Sequence, residues 1–131
     1  MPDVDFTDRE LDVMAILWEG GPSTVAEVRE TLNARLPEPL AYTTVLTILR
    51  ILEEKGYVRH TEEGRAHRYH PLVAREEAGR SALEDLIGRI FRGSPEMLIT
   101  QLVSDRSLTE AEIRRMREIL DRRLTEEEEC R

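Results

Sequence analysis

Apolar residues recur at helical spacing over most of this chain, and the exception is one short window in its middle. The run Phe6-Thr7-Asp8-Arg9-Glu10-Leu11 opens the first helix with two signatures. Thr7 and Glu10 form a capping box, and Phe6 can pack on Leu11 as a hydrophobic staple. A helix is expected from about Asp8 to Glu19, burying Leu11, Met14, Ala15 and Trp18 as one stripe, until Gly20-Gly21-Pro22 ends it. Ser23 and Thr24 then open a second helix, with Thr24 and Glu27 as another box and Val25, Val28 and Leu32 facing inward. Arg35 to Leu40 contains Pro37 and Pro39 and cannot continue it. That link is longer than the tight turn of the simplest helix-turn-helix and suits a winged variant better.

The stretch AYTTVLTILRILEEKG, Ala41 to Gly56, is the third helix and the most informative one. Val45, Ile48, Leu49 and Leu52 gather on one side of a helical wheel, while Thr43, Thr47 and Arg50 point the other way. Solvated helix faces favour Glu, Lys, Ala and Gln, because β-branched Thr loses rotamer freedom in a helix. Short hydroxyls and an Arg on a stiff helix instead suit a DNA groove, where Thr can bond base edges or touch a thymine methyl and Arg can fork onto guanine. An ordinary amphipathic core helix is the competing reading.

Lys55-Gly56 stops that helix, and the period changes. Tyr57 to Thr61 reads as a strand, Glu62 to Arg65 as a turn, and Ala66 to His70 as the returning strand before Pro71. A lone hairpin is marginal in water, so Val58 and Tyr69 are expected to anchor it on the helices. Arg65 at the tip can reach a DNA backbone, supported by Arg59, His60, His67 and Arg68; a solvated charged loop is the alternative. The N–H groups at the start of the second helix, by Ser23 and Thr24, can hold a phosphate or serve only as a capped end.

From Ala74 the character changes. Glu76 to Phe91 carries Leu83, Leu86, Ile87 and Ile90 on one stripe, and Gly93 breaks it. Ser94-Pro95-Glu96 restarts a helix through Met97, Leu98, Leu102 and Val103, which turns at Asp105-Arg106-Ser107. Leu108 to Ile113 repeats the box and staple, Ile113, Met116, Leu120 and Leu124 continue a face, and Glu126 to Glu129 is a frayed acidic end. Three short striped helices are too few to make a robust core alone. Pairing with a second copy through residues 74–125 would bury Leu83, Leu86, Ile87, Ile90, Leu98, Leu102, Ile113, Met116 and Leu120; a self-folded helical cap on a monomer is the alternative. The expected fold is mainly α: a winged helix-turn-helix of three helices and a β-hairpin over residues 1–72, then a helical dimerisation segment over 73–131.

Charge complicates this picture. The 131 residues carry a net charge of −8, which taken in bulk opposes nucleic acid. Residues 1–40 hold three Arg against nine Asp and Glu, whereas residues 41–70 hold Arg50, Lys55, Arg59, Arg65 and Arg68 against Glu53, Glu54, Glu62 and Glu63. Phosphate binding follows local potential, and the least acidic window coincides with the third helix and hairpin. A winged-helix module that docks a basic protein partner and never touches DNA remains the alternative from another class. His60, His67 and His70 lie close in sequence, but strand spacing does not force them onto one face, so no metal site and no cofactor are expected. No Gly-rich phosphate loop or nucleophile elbow points to an enzyme. Cys130 is the single cysteine, no apolar run is long enough for membrane insertion, and the N-terminus lacks a signal pattern, so a cytoplasmic site of action is expected.

The opening TDRELDVMAILWEGGPSTVAEV, the block AYTTVLTILRILEEKGYV and the hairpin EEGRAHRYHPLV together resemble the penicillinase-repressor family, the BlaI/MecI type of winged-helix regulators. The resemblance spans nearly the whole chain. It implies a dimeric repressor of a resistance operon on double-stranded operator DNA, with Thr43, Thr44, Thr47 and Arg50 at recognition-helix positions. It also implies release when a membrane metalloprotease that senses a β-lactam clips the dimerisation segment. In staphylococcal-type members the clipped bond is Asn-Phe; the matching place here is Gln101-Leu102, which leaves another specificity or another route of release open. The multi-cysteine motif of the copper-responsive branch is absent from this sequence.

Overall fold

A computed structural model describes residues 4–130. The elements follow in the order α1 (Asp8–Gly20), β1 (Ser23–Thr24), α2 (Val25–Arg35), α3 (Tyr42–Glu54), β2 (Val58–Glu63), β3 (Ala66–Pro71), α4 (Arg75–Arg89), α5 (Pro95–Ser104) and α6 (Glu110–Glu129). The chain divides into two compact units, residues 1–83 and 84–131.

In the first unit, α1, α2 and α3 pack around a core closed by a small antiparallel sheet of order β1-β3-β2. Met14 and Leu17 of α1, Val28 and Leu32 of α2, Val45, Leu49 and Leu52 of α3, and Val58 and Tyr69 of the sheet are all at most 2% exposed. Burial of each such side chain is worth about 1.5–3 kcal/mol, and together they fix the rotation of every helix about its axis. The capping boxes at Thr7 and Thr24 are both formed, with each threonine oxygen accepting from the N–H three residues on and each glutamate returning the bond.

Three details depart from the sequence reading. The buried face of α1 is rotated by one residue, about 100°: Glu10, Val13, Met14, Ile16 and Leu17 are buried, while Leu11 is exposed and Ala15 and Trp18 are only half-buried. Glu10 disguised that face, since a carboxylate marks solvent unless it is satisfied inside. Here Thr7 N–H donates to Glu10 Oε1 at 2.9 Å and Lys55 Nζ at 2.7 Å. Phe6 meets Trp18 and Tyr57 edge-on at 6.2 and 4.8 Å.

The second departure is the hairpin turn. It is two residues, Gly64 and Arg65, with the strands running on through Glu62 and Glu63. Gly64 takes φ +64, the left-handed first position that tight two-residue hairpins need. The third is β1: Ser23 and Thr24 pair with Tyr69 and Arg68, making a third strand that two residues of sequence cannot announce. The first unit also runs past Ala74 into α4, where Ala78 is buried and Val4 N–H donates to Ser81 Oγ at 3.2 Å.

The second unit differs in kind. Within it Phe91 is buried, but neither α5 nor α6 holds any buried residue. Leu86, Ile90, Phe91, Leu98 and Leu102 line an open concavity of about 690 Å³. No helix among the described residues is long and apolar enough to cross a membrane.

Candidate nucleic-acid interface

Because Val45, Leu49 and Leu52 are wholly buried, the opposite side of α3 must face out, and Thr43, Thr44, Thr47 and Arg50 are all exposed. Ala41 caps the helix without a side-chain bond, and its carbonyl accepts from Thr44 N–H and Val45 N–H. Thr47 Oγ1 donates to Thr43 O at 2.8 Å, which spends its proton and leaves its lone pairs and methyl outward. Tyr42, in the same first turn, is 45% exposed, a neighbour of this face that the sequence pattern did not single out.

Four basic side chains of the first unit stand in ion pairs with carboxylates. Arg9 pairs with Asp12, Arg35 with Glu19, and Lys55 with Glu10. Arg68 bridges Glu63, Glu27 and the Pro22 carbonyl, so it ties the hairpin to the start of α2. Arg50, Arg59 and Arg65 enter no salt bridge among the described residues, and all three are exposed on α3 or the hairpin. Arg29, Arg75 and Arg80 of the same unit likewise enter no salt bridge among the described residues, so what marks Arg50, Arg59 and Arg65 is their place on α3 and the hairpin.

The remaining sequence candidates are engaged internally. Ser23 is buried and its hydroxyl donates to Gly21 O at 2.9 Å. Thr24 exchanges both its N–H and its oxygen with Glu27. Glu27 is held below the ordinary carboxylate range by those Thr24 bonds, backbone first, with Arg68 adding to them. The histidines separate as strand alternation requires: His60 and His67 share one face, stacked at 4.3 Å, while His70 meets Thr61 on the other at 2.9 Å. No group of three metal-ligating side chains occurs among the described residues. On the inner face His60 Nδ1 donates to Glu53 of α3 at 2.7 Å, and burial, then the Glu53 charge, pushes the Tyr69 phenol up. Glu53 read from sequence as one more charged residue near a helix end, and nothing in the pattern marked its partner.

Comparison with known proteins bears on the fold and the family. Residues 6–122 match the penicillinase repressor family. The transcriptional regulator BlaI of Mycobacterium tuberculosis is 41% identical over 83 residues, covering 63% of this chain and 59% of the relative, so less than two thirds of that protein's length is matched. The methicillin resistance regulatory protein MecI of Staphylococcus aureus is 20% identical over 119 residues, 91% of this chain and 95% of the relative. The solution structure of the DNA binding domain of the repressor BlaI superposes with a TM-score of 0.50 at 29% identity, over 56% of this chain and 87% of that domain. With its winged first unit and nearly its full length inside the match, the chain belongs to the penicillinase-repressor family of transcriptional regulators.

Proposed function

We propose that the protein is a homodimeric repressor that binds a pseudo-palindromic operator in double-stranded DNA through α3 and the hairpin wing. Thr43, Thr47 and Arg50 read base edges, Thr44 flanks them, and Arg65 contacts the backbone. The observation that carries this reading is the outward face of α3: three threonines and an arginine with no ion-pair partner among the described residues, beside the exposed Arg59 and Arg65 of the wing.

Dimerisation rests on α4, α5 and α6. Ile90 and Leu120 are 64% and 53% exposed, and Leu83, Leu102 and Ile113 are also open to solvent, a cost that a second copy removes by covering them. Leu86, Ile87, Leu98 and Met116 border the same faces, half-buried. Two-fold pairing also suits a palindromic site read in successive major grooves. By their names the relatives regulate methicillin resistance or penicillinase, so an operon of that type is the first target to test. Release by a membrane metalloprotease sensor would act at Gln101-Leu102, which lies exposed in α5. A protease takes an extended strand, so α5 must open first. Within one copy α5 holds no buried residue, so what resists its opening is the cover that the second copy places on Leu98 and Leu102.

The test is binding to fluorescent fragments from upstream of the protein's own gene, with competitor DNA, across a salt series. The expected result is sequence-selective binding by two subunits, weakening steeply as salt rises. Failure of every fragment to outcompete random DNA, followed by failure of one random-sequence selection, would overturn it in favour of a module that docks a basic protein.

A further inference from the structure

We propose that Glu53 and His60 are positioning residues that set the angle of the wing against the recognition helix, so that Arg65 reaches the backbone while α3 occupies the groove. The proposal rests on the DNA-binding reading above.

The wing needs such a device. The β2–β3 ladder runs from Val58 and Pro71 out to Glu63 and Ala66, whereas β1 pairs only with Tyr69 and Arg68. Beyond those rungs the ribbon is two-stranded, and two-stranded ribbons are marginal alone. Val58 and Tyr69 bury its root but do not restrain its tip. On the outer face Arg68 ties the ribbon to α2. On the inner face the Glu53 carboxylate accepts from the His60 backbone N–H at 3.1 Å and from Nδ1 at 2.7 Å. These are the only side-chain hydrogen bonds between α3 and the wing strands among the described residues.

The stack passes this restraint across the ribbon. The His60 and His67 rings lie 13° from parallel at 4.3 Å, so holding His60 holds β3 two rungs nearer the tip. Tyr69 on the same strand sits 5.6 Å from His60, and Glu62 lies opposite His67. A carboxylate that grips both a backbone and a ring nitrogen of the partner strand restrains direction as well as distance, and a small angular error at the clamp grows along the ribbon to Arg65.

Energetic coupling between Glu53 and Arg65, which share no hydrogen bond or salt bridge among the described residues, tests this. Affinity for the selected operator is measured across salt for the full-length protein, for Glu53→Ala, for Arg65→Ala and for the double variant. Arg65→Ala alone should weaken binding several-fold and lower the slope of log affinity against log salt by about one. In the Glu53→Ala background the same change should cost less than about twofold and leave the slope unaltered, since the tip has already lost its phosphate. Equal losses in both backgrounds would overturn the positioning role and leave the wing contact standing. A silent Arg65→Ala would overturn both, because a wing that touches nothing needs no aim. If Glu53→Ala unfolds near the assay temperature, His60→Ala breaks the same clamp from the strand side and is read by the same outcomes.

Discussion

The two units solve opposite problems with the same kind of helix. In the first, the apolar faces of α1, α2 and α3 converge with Val58 and Tyr69 on one core, and Thr43, Thr44, Thr47 and Arg50 are left outside. In the second, α6 has the same amphipathic pattern and the same threonine capping box at Thr109, yet leaves Ile119 61% and Leu124 63% exposed. Capping and periodicity therefore decide that a helix forms. They do not decide whether it is finished, which depends on how many apolar faces the same chain brings together.

Paired substitutions break or sharpen this comparison most directly. Leu49→Ala empties a wholly buried site and should cost about 2–5 kcal/mol in urea unfolding, independent of protein concentration. Leu120→Ala should leave the unfolding of the winged unit unchanged and instead weaken self-association in sedimentation, by an amount that grows on dilution. If Leu120→Ala destabilises at every concentration, the second unit is a self-sufficient fold and the contrast fails. Arg50→Ala lies on the completed unit's outward face and should cost about 1–3 kcal/mol in operator affinity with no change in unfolding. Unchanged affinity would remove Arg50 from the reading set.

The smallest effect is electrostatic. Burial alone would raise the Glu10 carboxyl, but the Lys55 ammonium and the Thr7 bonds outweigh it and hold it below the ordinary carboxylate value. The unfolded chain therefore takes up that proton more readily. The stability from this group is complete above the ordinary carboxylate value and is lost as pH falls through it toward the lower folded value. Glu10→Gln should flatten the acid limb of the stability profile between those values; an unchanged acid limb would show that the pair contributes nothing there.

Local chemistry reached the sequence intact. Thr7, Thr24 and Thr109 with their partner glutamates marked three helix starts, and all three boxes form, because a cap is a contact between residues three apart. The split of α3 into Val45, Leu49 and Leu52 against Thr43, Thr47 and Arg50 was equally legible, since its period is set by the helix itself. Four things were decided only in three dimensions. Glu10 became a core residue because Lys55, forty-five positions away, neutralised it. Ser23 and Thr24 became a strand because β3 came alongside. Arg68 was diverted from solvent into a strut by Glu27 and Glu63. Glu53 acquired a hydrogen-bond partner when the chain folded His60 onto it. Neighbours within a turn or two write their preferences into the sequence, whereas a charge or an edge strand takes its meaning from whichever distant group the fold sets opposite it.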